Sequence, residues 1–187
     1  MENYIKVFFE TLTELYPTVD FYACDVVNEA WLEDGKPRQP GEQGSGGSAK
    51  SAWVQVFGDN SFIEPAFTYA RKYAPEGCKL YYNDYNEYMD GKMNAIIDMA
   101  KDFKEKGIID GIGMQGHLSD NNNIEEYVAA LKEYSSLVKE VHITELDVKC
   151  TCLNKNQEYY QAVFYKKFFA ALIQAKKEGA NLTAVTF

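Results

Sequence analysis

Four short stretches of the chain place polar and acidic residues directly after a run of β-formers: Asn28-Glu29, Asn83-Asp84-Tyr85-Asn86, Gln115 with His117, and Glu145 with Asp147. Two of these carboxylates, Glu29 and Glu145, are the residue type that glycoside hydrolysis requires on either side of a scissile bond. One acid stays protonated to help the leaving oxygen depart, and the other stays ionised to attack the anomeric carbon or to activate water. Their separation sets the stereochemistry, about 5 Å for retention and about 6.5–9.5 Å for inversion, and spacing along the chain does not supply that distance. Each residue also has a plainer use. A lone glutamate after a strand commonly serves as a helix N-terminal acid, His117 fits a hydrogen-bonded structural role, and Asn28, Asn83 and Asn86 suit turns. Trp31 and Trp53 fit a core as well as a sugar platform, and Tyr81 and Tyr82 a mixture of core and rim. What sets the group apart is recurrence at the same place in four successive units.

The elements that must position these residues are readable in outline. Ile5, Phe8, Phe9, Leu12 and Leu15 lie at helical spacing within 1–16 and predict a helix with one buried stripe, stopped by Pro17. Residues 19–27 predict a strand. The stretch 33–50, with Gly35, Gly41, Gly44, Gly46 and Gly47 and prolines at 37 and 40, reads as a long surface loop. It is not a domain linker, because only about thirty residues precede it, too few for an independent core. Helix is then expected over 61–73, strand over 79–83, and helix over 89–106, with Ile96, Ile97, Met99, Ala100 and Phe103 on one side and Gly107 at the end. Strand and loop follow at 111–118, helix at 123–138, strand at 141–144, helix at 156–177 and a last apolar run at 182–187.

Five strands alternating with helices imply a parallel sheet, either doubly wound or part of a closed (β/α)8 barrel. A chain that opens on a helix and ends inside a strand favours the barrel. Gly111, Gly113 and Gly116 have the form G-x-G-x-x-G but run into His-Leu-Ser-Asp-Asn rather than a helix start, a poor dinucleotide signal. In a parallel β/α fold the C-terminal strand ends share one face, so Glu29 and Glu145 can converge there.

Composition narrows the partners. With 187 residues, 46% of them hydrophobic, the chain can bury a core as one domain. The 28 acidic residues outnumber 19 basic ones, and the net charge of −9 argues against nucleic acid and for a neutral or cationic partner. No apolar run approaches the ~20 residues of a membrane span, and the first residues lack the order of a signal peptide. Cys24, Cys78, Cys150 and Cys152, with two histidines, do not show paired zinc-site spacing, so free thiols and no metal or cofactor are expected. The 14 Tyr, 11 Phe and 2 Trp supply core and flat faces suited to sugar rings.

The strings Asp25-Val-Val-Asn-Glu29-Ala30, Lys79-Leu-Tyr-Tyr-Asn-Asp-Tyr-Asn86, Gly111-Ile-Gly-Met-Gln-Gly-His-Leu118 and His142-Ile-Thr-Glu-Leu-Asp-Val148 resemble, in order and spacing, four successive signatures of glycoside hydrolase family 10, the endo-1,4-β-xylanases. Ser51-Ala-Trp and Phe67-Thr-Tyr-Ala-Arg71 are similar too, so the resemblance covers essentially the whole chain. It implies an α/β fold of the (β/α)8 TIM-barrel family, here an incomplete barrel of about five β/α units, with residues 1–187 forming a partial catalytic domain. It further implies retaining cleavage of xylan or xylo-oligosaccharide, with Glu29 as acid/base and Glu145 as nucleophile. Asn28 would bond the sugar 2-hydroxyl and Gln115 would line the same subsite. His117 would contact the nucleophile with Asp147 behind it, Asp25 would support the site, and Tyr85 and Asn86 would lie towards the aglycone.

Two departures stand out. Cys24 occupies a position where many members carry Trp, and the glycine-rich stretch 41–47 falls in the loop after the acid/base strand. The matched strands are the fourth to eighth of the family barrel, so the resemblance implies a fragment with little activity alone, exported as part of a longer protein. Its open edges are expected to drive self-association or to take a complementing chain. A non-catalytic carbohydrate-binding module is the alternative, disfavoured by the retained ionisable pair. A doubly wound enzyme acting on phosphorylated substrates ranks third, for want of a phosphate loop.

Overall fold

The computed structural model describes residues 1–42, 50–151 and 156–187. Gly44, Gly46 and Gly47 of the expected loop and Cys152 lie outside the described residues. In chain order the elements are α1 (Glu2–Leu15), β1 (Ala23–Asn28), α2 (Ala52–Phe57), a 3₁₀ turn (Asn60–Phe62), α3 (Ile63–Tyr73), β2 (Lys79–Asp84), α4 (Asp90–Glu105), β3 (Gly111–Met114), β4 (His117–Ser119), α5 (Ile124–Leu137), β5 (Glu140–Ile143), β6 (Asp147–Lys149), α6 (Gln157–Lys177) and β7 (Leu182–Val185).

Five strands form one parallel sheet in the order β1-β2-β3-β5-β7. Every strand is added beside its predecessor and the order never doubles back. A doubly wound sheet needs a point at which the order reverses, whereas continuous winding in one direction belongs to a barrel wall. Along each strand the side chains alternate. Leu80, Tyr82, Ile112, Met114, Val141 and Ile143 are buried in the core cluster that also takes in residues of the helices. Residues of the opposite set, among them Tyr81, Asn83, Gly111, Gly113, His142 and Thr144, face one another across the inner side. A Cβ on Gly111 would fall 2.3 Å from the Tyr81 ring, and one on Gly113 would fall 2.3 Å from Asn83 Oδ1. Those two glycines therefore make room for larger inward side chains of the neighbouring strand.

Local chemistry explains most boundaries. Ser51 caps α2, its hydroxyl accepting from the Val54 N–H at 3.3 Å, and Asn123 caps α5 by accepting from Glu125 N–H at 3.0 Å. Gly107 takes a left-handed φ of 69° and ends α4. Three sequence expectations need adjustment. The strand expected over 19–27 is shorter, Ala23–Asn28, with Val19 and Tyr22 exposed ahead of it. α2 was not anticipated, because six residues are too few to show a helical period. The predicted buried stripe of α1 is narrower than expected: Phe9 is buried and Ile5 and Leu12 are half-buried, but Phe8 and Leu15 are exposed, since α1 packs on α3 at the edge of the sheet. Neither β1 nor β7 has a strand on its outer side among the described residues.

The inner side is polar at both ends. At the N-terminal end Glu140 accepts from Lys79, Tyr22 and Tyr81, the last at 2.8 Å. Burial works against its charge, but these donors hold its pKa at about 2. No helix of the described residues is long and apolar enough to cross a membrane.

Candidate active site

Glu29 follows the last residue of β1 with a φ of 55°, and Asn86 follows the end of β2 with a φ of 52°. A non-glycine residue in this left-handed region costs on the order of 1–3 kcal/mol and persists where its surroundings hold it. The Glu29 turn is held from three sides. Its own N–H donates to Asn83 O at 3.0 Å, the Ala30 N–H donates to Tyr82 Oη at 3.0 Å, and Asn60 Nδ2 donates to Ala30 O at 2.6 Å.

Three side-chain amides connect the two glutamates. Gln115 Nε2 donates to Glu29 Oε1 at 3.0 Å and to Asn28 Oδ1 at 3.1 Å. Asn83 Nδ2 donates to the same Asn28 oxygen at 2.9 Å and to Glu145 Oε1 at 3.0 Å, while Asn83 Oδ1 accepts from the Thr144 hydroxyl at 2.7 Å. This pattern fixes which way every amide points. Both bonds to Asn28 arrive at its oxygen, so its Nδ2 is left as a donor at the mouth of the site. Asn83 and Gln115, 2% and 1% exposed, are rigid members of the line.

On the far side of Glu145, His117 stands between two carboxylates. Its Nδ1 lies 2.9 Å from Asp147 Oδ2 and its Nε2 lies 3.4 Å from Glu145 Oε2. A hydrogen on Nδ1 fixed by Asp147 leaves Nε2 facing the nucleophile candidate. The geometry comes from a second, two-stranded parallel sheet in which β4 pairs with β6 and His117 sits opposite Asp147. The sequence reading took this region as loop, and Gly116, with a φ of 79°, makes the break between β3 and β4. Asp25 is solvent-exposed, yet the protein around it and, second, the charge of Glu145 push its carboxyl pKa upward. That places it within electrostatic reach of Glu145, on the inner side.

Tyr85 and Asn86 lie in the loop after β2, apart from the amide line but joined to it through Asp84. Asp84 and Lys92 form an ion pair at 2.9 Å, both 0% exposed. Asp84 accepts the Tyr82 hydroxyl and the Tyr85 N–H, and Lys92 Nζ also donates to Tyr85 O at 3.0 Å. Burial pushes the Asp84 carboxyl up, against the pull of Lys92 and Tyr82. Sequence reasoning missed Lys92, and set Asn83 among the polar strand-end residues without giving it a role. A signal for Lys92 was present, since it occupies the stripe 92, 96, 99, 103 that is otherwise apolar.

Two predictions arise from these contacts. Gly113→Ala places a methyl against Asn83 and against Thr144 Cγ2 at 3.0 Å. It is expected to break the Asn83–Glu145 bond and cost about 1–3 kcal/mol, read as a lowered urea midpoint. Glu87 is fully buried, and neither carboxylate oxygen has a hydrogen-bond partner. Burial pushes its pKa from 4.5 to about 8. The folded state therefore holds a proton that the unfolded state releases: the contribution is full below about pH 4.5, erodes as pH rises and is gone above about pH 8. Between those limits wild type is expected to lose on the order of 3–5 kcal/mol relative to Glu87→Gln. Urea unfolding of both proteins across the window checks this, and parallel pH profiles would refute it.

Cys24 is half-buried, with its thiol pushed up to about 12 by burial, and Cys78 is buried; both are free thiols. Among the described residues no group of three or more His, Cys, Asp or Glu could hold a metal.

Comparison with known proteins places the chain as a whole. The chain is 44% identical to endo-1,4-beta-xylanase Y of Acetivibrio thermocellus, a match covering 99% of the chain and 18% of that protein. It is 45% identical to the bifunctional endo-1,4-beta-xylanase XylA of Ruminococcus flavefaciens, over 100% of the chain and 18% of that protein. Among solved structures, the CBM22-1–GH10 modules of a Clostridium thermocellum endo-1,4-beta-D-xylanase in complex with xylohexaose superpose with a TM-score of 0.84 at 42% identity, covering 98% of the chain and 37% of that structure. An intracellular xylanase from Thermoanaerobacterium saccharolyticum gives 0.81 at 33%, covering all of the chain and 54% of that structure. The chain thus spans well under two thirds of each relative. The family model Glycosyl hydrolase family 10 matches residues 1–187, and with the singly wound parallel sheet this means that the chain belongs to glycosyl hydrolase family 10 and forms part of its (β/α)8 barrel.

Proposed function

We propose that this chain carries the catalytic edge of an endo-1,4-β-xylanase that hydrolyses internal β-1,4-xylosidic bonds with retention. The observation that supports this best is the line of hydrogen bonds from Glu29 through Gln115, Asn28 and Asn83 to Glu145. It joins two carboxylates 116 positions apart at one sheet edge. In the first step Glu145 attacks the anomeric carbon while Glu29 gives its proton to the departing glycosidic oxygen. In the second, Glu29 takes a proton from water, the water oxygen bonds to the anomeric carbon, and Glu145 leaves as carboxylate. Asn28 Nδ2 donates to the sugar 2-hydroxyl beside Glu145, where that bond strengthens as positive charge develops on the ring. Asn83 holds one oxygen of Glu145, the His117 ring lies beside the other, and Tyr85 and Asn86 border the aglycone side. A carbohydrate-binding module has no use for an ionisable pair tied together in this way.

The direct test is trapping. Incubation with a 2,4-dinitrophenyl 2-deoxy-2-fluoro-β-xylobioside is expected to add one fluoroxylobiosyl group to the peptide containing Glu145, seen by mass spectrometry. An adduct on another residue, or release of the α-anomer first from an unfluorinated substrate, would overturn the reading. Because the chain spans 37% and 54% of the two superposed structures, its own turnover on xylan is expected to be far below that of a complete xylanase, positioning being a large part of catalysis. We also propose that this chain by itself associates through the uncovered edges of β1 and β7, and a monodisperse monomer in sedimentation would refute this.

A further inference from the structure

Lys92 lies on a helix stripe where Met or Leu would pack without cost. A buried ammonium instead carries a desolvation penalty that only close partners offset. Its partners lead to two places. Nζ donates to Asp84 Oδ1 at 2.9 Å and to Tyr85 O at 3.0 Å, and sits 3.8 Å from the centroid of the Tyr85 ring. Through Asp84 it also reaches Tyr82, whose hydroxyl donates to Asp84 Oδ2 while accepting the Ala30 N–H at 3.0 Å. Ala30 is the residue after Glu29, whose left-handed backbone is sustained by bonds of this kind. Lys92 thus touches the Tyr85 loop directly and the turn that aims Glu29 only by way of Asp84 and Tyr82.

We propose that Lys92 is a positioning residue that holds the Glu29 turn and the Tyr85 loop in one arrangement, so that the proton donor and the aglycone-side aromatic keep a fixed relation. This rests on the reading of Glu29 as the general acid. The charge acts through Asp84 and Tyr82 and does not touch the substrate. Loss of the amine therefore falls on steps that need proton donation to the leaving group and spares those that do not.

The experiment uses the chain as it stands, with Lys92→Met alone and Lys92→Met combined with Asp84→Asn, which removes both buried charges together. Turnover is measured on phenyl β-xylobioside, whose poor leaving group needs the acid, and on 2,4-dinitrophenyl β-xylobioside, whose leaving group does not. Each variant is expected to lose about 100-fold on the phenyl substrate and less than about fivefold on the other. Amide hydrogen exchange at Ala30 is expected to speed up about tenfold, while Ile112 and Val141 in the sheet keep their protection. Equal losses on both substrates, or unchanged protection at Ala30, would overturn the proposal. So would failure of both variants to fold, which assigns the pair to the fold alone. Where the wild-type chain turns over neither substrate, exchange at Ala30 decides whether Lys92 holds the turn, and the fluoroglycoside trap decides the hydrolase reading separately.

Discussion

Glu145→Ala is expected to lower turnover of an activated aryl β-xylobioside by on the order of 10⁴- to 10⁶-fold relative to the unaltered chain. The variant leaves the Asn83 amide and the His117 ring facing a small vacant space where the carboxylate stood. No covalent intermediate can form, so the loss falls on glycosylation whatever the leaving group. Azide in the medium is expected to restore part of the rate by attacking the anomeric carbon from the face that Glu145 occupied. The product would then be the α-xylobiosyl azide, with inverted configuration. Chromatography and the anomeric proton coupling identify it. A variant that keeps more than about a tenth of the activity, or that yields the β-azide, would remove Glu145 from the nucleophile role.

Glu29→Ala is expected to behave differently, and the contrast separates the two roles. Acid assistance is worth typically about 10²–10⁴-fold, so hydrolysis of phenyl β-xylobioside should fall by that amount. With a dinitrophenyl leaving group the first step needs no proton. The glycosyl-enzyme should therefore still form on Glu145 and accumulate, because its hydrolysis now lacks a base. A burst of dinitrophenolate followed by a slow steady rate would report this. Azide attacks the accumulated intermediate from the opposite face and should give the β-xylobiosyl azide. Equal losses on both leaving groups would be incompatible with Glu29 as the acid/base.

Much of this arrangement is written in short-range pattern. The helix α4 is legible from Ile96, Met99, Ala100 and Phe103 and from Gly107 after it, because helical period and a left-handed stop act within a few residues. The alternation of strands and helices, and the polar residues at four strand ends, are legible for the same reason. What pattern conveys poorly is neighbourhood. The stripe of α1 reads as buried although Phe8 and Leu15 are exposed, since periodicity shows that a face is apolar and not whether anything lies against it. The β4–β6 pair reads as loop, because strands of three residues have no period of their own and exist through pairing with one another.

Residue type and spacing alone therefore sufficed to choose a parallel β/α architecture and to mark Glu29, Gln115, His117 and Glu145 as candidates, these being properties of single segments. The assembled chain was needed to show that Asn83 reaches Glu145 across 62 positions, that its oxygen is taken by Thr144, and that a lysine within an apolar stripe pairs with Asp84, which also accepts the Tyr82 hydroxyl. A hydrogen bond depends on a few tenths of an ångström between atoms of separate segments, and that precision arises when the sheet register and the room left by Gly113 bring those segments together.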